Sequence, residues 1–126
     1  MDACIDPVVL EDLRQLDKKG ELLCTLITHY LADVPTSLAA LQDAVRHNAL
    51  QKVERAAHEL SGTSGNLGAH RMRELCKTLE AVAKTKDLSK ATDLLVQLTS
   101  EFELVRQRLI AEQTAIAHDA LGNEAA

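Results

Sequence analysis

Apolar residues recur at steps of three and four along most of the chain, and each break in that rhythm predicts a helix end. Asp6-Pro7 reads as an N-cap with proline at the first helical position, followed by Val9, Leu10, Leu13 and Leu16. "DKKG" ends this short helix, with lysines at its C-terminal end and Gly20 as cap. A second helix begins near Glu21. It carries Leu23, Leu26, Ile27, Tyr30, Val34, Leu38, Leu41 and Val45 as one stripe and closes at "RHNA". Pro35 lies inside it and predicts a bend rather than a stop, because the stripe resumes in phase. The third helix holds Leu50, Val53, Ala57 and Leu60. The fourth takes over after Gly68 with Met72, Leu75, Cys76, Leu79 and Val82, and "KTKD" breaks it. The fifth carries Leu88, Ala91, Leu95, Leu98, Phe102, Val105 and Leu109, after which "AHDALGNEAA" loses the pattern.

No strand pattern and no internal repeat accompany these helices. Long helices with short links predict an all-α fold, an antiparallel up-and-down four-helix bundle with a short additional N-terminal helix. Residues 1–118 are expected to form a single domain and 119–126 a frayed C-terminal tail.

Composition supports helices and narrows function. Hydrophobic residues make up 46% but aromatic ones only 2%, so Leu, Ala, Val and Ile must build the core. The net charge of −5 leaves no basic stripe to replace phosphate counterions, which argues against nucleic acid as a partner. Cys4, Cys24 and Cys76 are far apart, with no CxxC or zinc spacing, and read as small buried hydrophobes in a reducing compartment. "MDACIDPVV" lacks a basic n-region and no apolar run approaches a membrane span. The expectation is a cytoplasmic protein.

The stretch "AHELSGTSGNLGA" carries the chemistry. His58 sits one residue, about 100°, off the stripe of Val53, Ala57 and Leu60. Ser61 and Gly62 follow one turn later and Gly65 two turns later, so the surface downstream of the imidazole should be nearly bare. Glycine in a helix interior is unfavourable by roughly 1 kcal/mol relative to alanine. What it gains here is room for a partner to approach the ring. "HELSG" is not HExxH, the glycine spacing is neither a Walker loop nor a dinucleotide fingerprint, and His29, His47, His70 and His118 lack metal-ligand spacing.

The hairpin of helices three and four turns near residues 67 to 69, which places His58 opposite residue 79, give or take two. Leu79 belongs to the core, so Glu80 is the polar candidate, on one face with Lys77 and Lys84. A carboxylate accepting from Nδ1–H would fix the tautomer and leave the Nε2 lone pair outward as a nucleophile. Lys77 or Lys84 could bring positive charge toward a group on Nε2.

"AAHELSGTSGNLGAHRMRELCKTLE" resembles the signature of histidine-containing phosphotransfer (HPt) domains, roughly AHxLKGxxxNLGAxxLxxxCxxLE. His58, Leu60, Gly62, Asn66, Leu67, Gly68, Ala69, Cys76, Leu79 and Glu80 fall in place, and "IDPVVLEDL" and "HYLADVPTSLAAL" match the family's earlier helices. The resemblance implies a phosphorelay intermediate. His58 would accept a phosphoryl group from a receiver-domain aspartate and pass it to another receiver aspartate. The partners implied are receiver domains of response regulators or of a hybrid sensor histidine kinase, docking on the His58 face and on the N-terminal helix, where Ile5, Val8 or Val9 would be exposed. The chain would be a monomer with no cofactor and no independent catalytic site, Mg²⁺ being held by the receiver. One departure stands out: Ser61 replaces the family's usual lysine, which helps hold the phosphoryl group. The alternatives are a helical interaction module without transfer and the autophosphorylated domain of a histidine kinase.

Overall fold

The structure, a computed structural model, describes residues 4–17 and 19–125, with side chains as far as residue 121. Lys18 of the "DKKG" break and Ala126 of the expected tail lie outside the described residues. Five helices follow in chain order: α1 (Pro7–Leu16), α2 (Glu21–Arg46), α3 (Leu50–Asn66), α4 (His70–Lys84) and α5 (Ala91–Ala125). There is no strand among the described residues, and no helix there is long and apolar enough to cross a membrane.

Each boundary has a local cause. The Asp6 carboxylate accepts from the Val8 N–H at 2.9 Å, with Pro7 at the first helical position, so α1 starts where a donor would otherwise be orphaned. Gly20 lies at φ +74°, and a Cβ there would come within 2.6 Å of Ile116 on α5, so the α1–α2 corner needs glycine twice over. Pro35 sits within α2, and the helix continues to Arg46.

Short links force antiparallel neighbours, and α2, α3, α4 and α5 close a ring in which each packs on the next and α5 returns to α2. α1 lies against α2. Leu23, Ile27, Leu41, Val53, Met72, Leu79, Leu98, Val105 and Leu109 are buried at the centre. The two aromatic rings, Tyr30 and Phe102, meet edge to face at 6.1 Å between centroids.

Several expectations are corrected. α5 begins at Ala91, leaving Leu88 in the preceding link, and it does not stop where the apolar pattern fades. It runs past residue 118 to Ala125, and Asp119 ion-pairs with Arg14 of α1. At about 1.5 Å per residue this helix is roughly 50 Å long, twice the length of α3, and its far half reaches across the α1–α2 corner. There Gln113 donates to the Cys24 carbonyl and to Thr28, and Ile116 is buried. Ile5 is a core residue, 1% exposed, and Val9 is half-buried, so of the three expected surface residues only Val8 is exposed. Leu26 lies at the outer edge of the α2 stripe and is exposed. Cys76 is buried as expected, whereas Cys4 and Cys24 are half-buried.

Candidate functional site

α3 and α4 are joined by Leu67, Gly68 and Ala69. Gly68 takes φ +80°, and its missing Cβ would stand 2.9 Å from Val9 and 3.2 Å from the Asp6 carbonyl oxygen. That oxygen can come so close because the Asp6 N–H donates to the Gly68 carbonyl at 2.9 Å. His70 at the start of α4 contacts the Asp6 carboxylate through Nε2 at 3.2 Å, so the N-terminal segment is fastened over the hairpin turn.

This turn sets the register. His58 and Glu80 are centred on Ala69, as are Gly65 and Arg73. His58 Nδ1–H donates to Oε2 of Glu80 at 2.9 Å. The imidazole is 78% exposed while Glu80 is only 19% exposed. The carboxylate is therefore held by its surroundings and the ring stands out from them, with Nε2 on the edge away from Glu80. A ring fixed at Nδ1 presents one tautomer, with a lone pair on Nε2.

The two glycines beyond the histidine differ. A Cβ on Gly62 would meet nothing within 4 Å, so the surface beside His58 is open there. At Gly65 a Cβ would stand 3.0 Å from Cδ of Arg73, whose side chain crosses the glycine. Gly65 thus makes room for α4's own arginine and not for a visitor, which corrects the reading of both glycines as access. The Nε of Arg73 is buried without a hydrogen-bond partner, and its guanidinium reaches Glu74 at 3.4 Å.

Ser61 is the larger correction. It is 7% exposed, packed at the edge of the core, and does not share the solvent-facing surface of His58. One turn further, Ser64 is fully buried and meets the Tyr30 hydroxyl at 2.7 Å, tying α3 to α2. The position of Ser61 one turn after His58 suggests surface, and cover by neighbouring helices overrides it.

Of the two lysines on the α4 face, the structure brings one to the histidine. Lys84 lines an open hollow with His58, Glu80, Gln51, Glu54 and Arg55, and Lys77 is not part of it. Arg55 lies one turn before His58 on α3, and its i−3 spacing is the signal that a cation stands there. On the other side of α3 a cleft of about 420 Å³ runs along α2, lined in part by Leu26, His29, Asp33, Thr63 and Asn66.

The family model described as Hpt domain matches residues 25–108. Multistep phosphorelay regulator 1 of Schizosaccharomyces pombe (strain 972 / ATCC 24843) is 26% identical over 117 residues. That match covers 91% of this chain but only 38% of the yeast protein's length. The crystal structure of histidine-containing phosphotransfer protein B (HptB) from Pseudomonas aeruginosa PAO1 superposes with a TM-score of 0.85 at 27% identity, covering 91% of this chain and 98% of that one.

Proposed function

Because the chain belongs to the Hpt domain family, we propose that it is a phosphorelay intermediate in which Nε2 of His58 takes a phosphoryl group from a receiver-domain aspartate and yields it to another. The observation that carries this reading is the exposed imidazole fixed at Nδ1 by a sheltered carboxylate, 2.9 Å away.

The chemistry follows from that contact. The Nε2 lone pair attacks phosphorus in line while the acyl-phosphate P–O bond breaks, and the aspartate leaves as a carboxylate. The ring, with Nδ1 still protonated, gains positive charge as the Nε2–P bond forms. Glu80 accepts the Nδ1–H hydrogen bond throughout, so its charge favours the product-like ring more than the neutral one. On return the ring gives up that charge, so the contact that favours loading opposes release by the same amount. Mg²⁺ would come with the receiver, and this chain would supply the nucleophile and a docking face. The receiver would sit over the open surface at His58 and Gly62, flanked by the α2–α3 cleft with Leu26 and by Val8 on α1. In this reading the domain works as a monomer in the cytoplasm.

The test is incubation with a phosphorylated receiver. An acid-labile, alkali-stable phosphate should appear on the chain and be absent from His58→Gln, with helicity and melting unchanged. Label persisting in that variant on His29, His47, His70 or His118 would refute the assignment. No label on the wild-type chain would leave an interaction module without transfer.

A further inference from the structure

We propose that Arg55 and Lys84 form a cation clamp for the phosphoryl group on His58, an assignment that rests on reading His58 as the phosphoacceptor. A phosphoryl group on Nε2 brings about two negative charges to a surface that already holds Glu80. Something must offset them. Ser61 is buried and carries no charge. Arg73 is laid across Gly65, two turns from His58, and contacts Glu74. Lys77 stands outside the hollow that contains the imidazole.

The hollow itself holds two cations, Arg55 from α3 and Lys84 from α4, and two acids, Glu54 and Glu80. Glu80 is committed to Nδ1. Neither Arg55 nor Lys84 is in an ion pair among the described residues, although five of the chain's other arginines are. Arg55 lies at i−3 from His58 and Lys84 at i+4 from Glu80, so both line the hollow on the same side of the imidazole. A guanidinium can offer two parallel N–H donors to phosphoryl oxygens, and an ammonium offers a mobile point charge. Gln51, one turn before Arg55, adds a neutral amide to the same wall. Glu54 opposes the clamp and limits how tightly the group is held, which suits a carrier that must release it.

Phosphoramidate tests this without a receiver. Nε2 attacks its phosphorus, the P–N bond breaks, ammonia leaves, and the ring keeps its Nδ1 proton. Wild type, Arg55→Gln, Lys84→Gln, the double variant, Lys77→Gln and Lys52→Gln would be labelled in this way. Phosphohistidine lifetime would then be followed, and the phosphoryl group titrated, by ³¹P NMR. Loss of either clamp residue should shorten the lifetime several-fold and raise the pH at which the phosphoryl group takes up its proton. The double variant should do more, and the differences should shrink in 1 M salt. Lys52→Gln, the same charge change elsewhere on α3, should match wild type. Equal lifetimes and titrations in wild type and the double variant, or an equal loss in Lys77→Gln, would overturn the clamp while leaving His58 as the acceptor. Failure of the wild-type histidine to take label would overturn the acceptor reading, and the clamp with it.

Discussion

Glu80 lies 22 residues from His58 along the chain and 2.9 Å from its Nδ1 in space, in a contact where the acid is sheltered and the base is exposed. A hydrogen bond to a charged group contributes about 1.5–3 kcal/mol, which corresponds to roughly tenfold to a hundredfold in a rate. Glu80→Ala should therefore slow phosphoryl transfer by that factor while leaving the fold intact. Its signature is a shift of the His58 tautomer ratio in ¹⁵N NMR spectra away from Nδ1–H. An unchanged tautomer ratio would show that the carboxylate does not orient the ring.

Gly62 and Gly65 should respond differently. Gly62→Gln places its Cβ in open space, so helix propensity should raise stability by a few tenths to about 1 kcal/mol, while the longer side chain obstructs receiver docking and slows transfer. Gly65→Ala must push Arg73 aside from a 3.0 Å contact and should gain less or lose. Thermal melting of the two variants, with a transfer assay on the first, checks both halves.

The buried pair of Tyr30 and Ser64 predicts a non-additive cycle. Tyr30→Phe strands the Ser64 hydroxyl inside the bundle and should destabilise by about 1–3 kcal/mol. Adding Ser64→Ala removes the stranded group, so the double variant should be less destabilised than the sum of the singles in urea unfolding. Strict additivity would mean the two hydroxyls do not depend on each other.

High pH should weaken the fold through two buried acids. Burial pushes the Cys76 thiol from 9.0 up to about 12, and the Tyr30 phenol well above its ordinary 10.0. The unfolded chain releases these protons first, so stability is full below about pH 9 and falls as pH rises above it. The slope per group is up to about 1.4 kcal/mol per pH unit. Cys4 and Cys24 shift in the same direction. Urea midpoints should be level from pH 7 to 8.5 and fall by pH 10.5. Cys76→Ala should flatten the first part of that fall and Tyr30→Phe the part above pH 10. Equal slopes in wild type and Cys76→Ala would rule out the thiol.

Helices and their register were legible because packing in this chain is carried by regularly spaced aliphatic residues, and a hairpin with a glycine turn at 68 places opposite residues by counting alone. That count brought Glu80 to His58. It failed at the margins of the apolar stripe. Ser61 lies only about 60° from the centre of the buried arc of α3, close enough for neighbouring helices to cover it, but its hydroxyl reads as surface. Ser64 is buried because Tyr30, 34 residues earlier, satisfies it, and no local pattern announces such a partner. The side chain crossing Gly65 likewise belongs to another helix. Past residue 118 the helix continues because Ile116 and Asp119 find partners at the α1–α2 corner, although the stripe has faded.

The difference in chain separation between contacts orders their appearance during synthesis. His58 and Glu80 need only the hairpin of α3 and α4, whereas Arg14 and Asp119 are 105 residues apart. Closing a short loop is entropically easier than closing a long one, so the hairpin can assemble while α5 is still being translated. In that interval the His58–Glu80 contact can form, while Leu79, Ala83 and the buried face of α2 lack the wall that α5 supplies. The core therefore stays open on one side until the roughly 50 Å of α5 has been made and has docked.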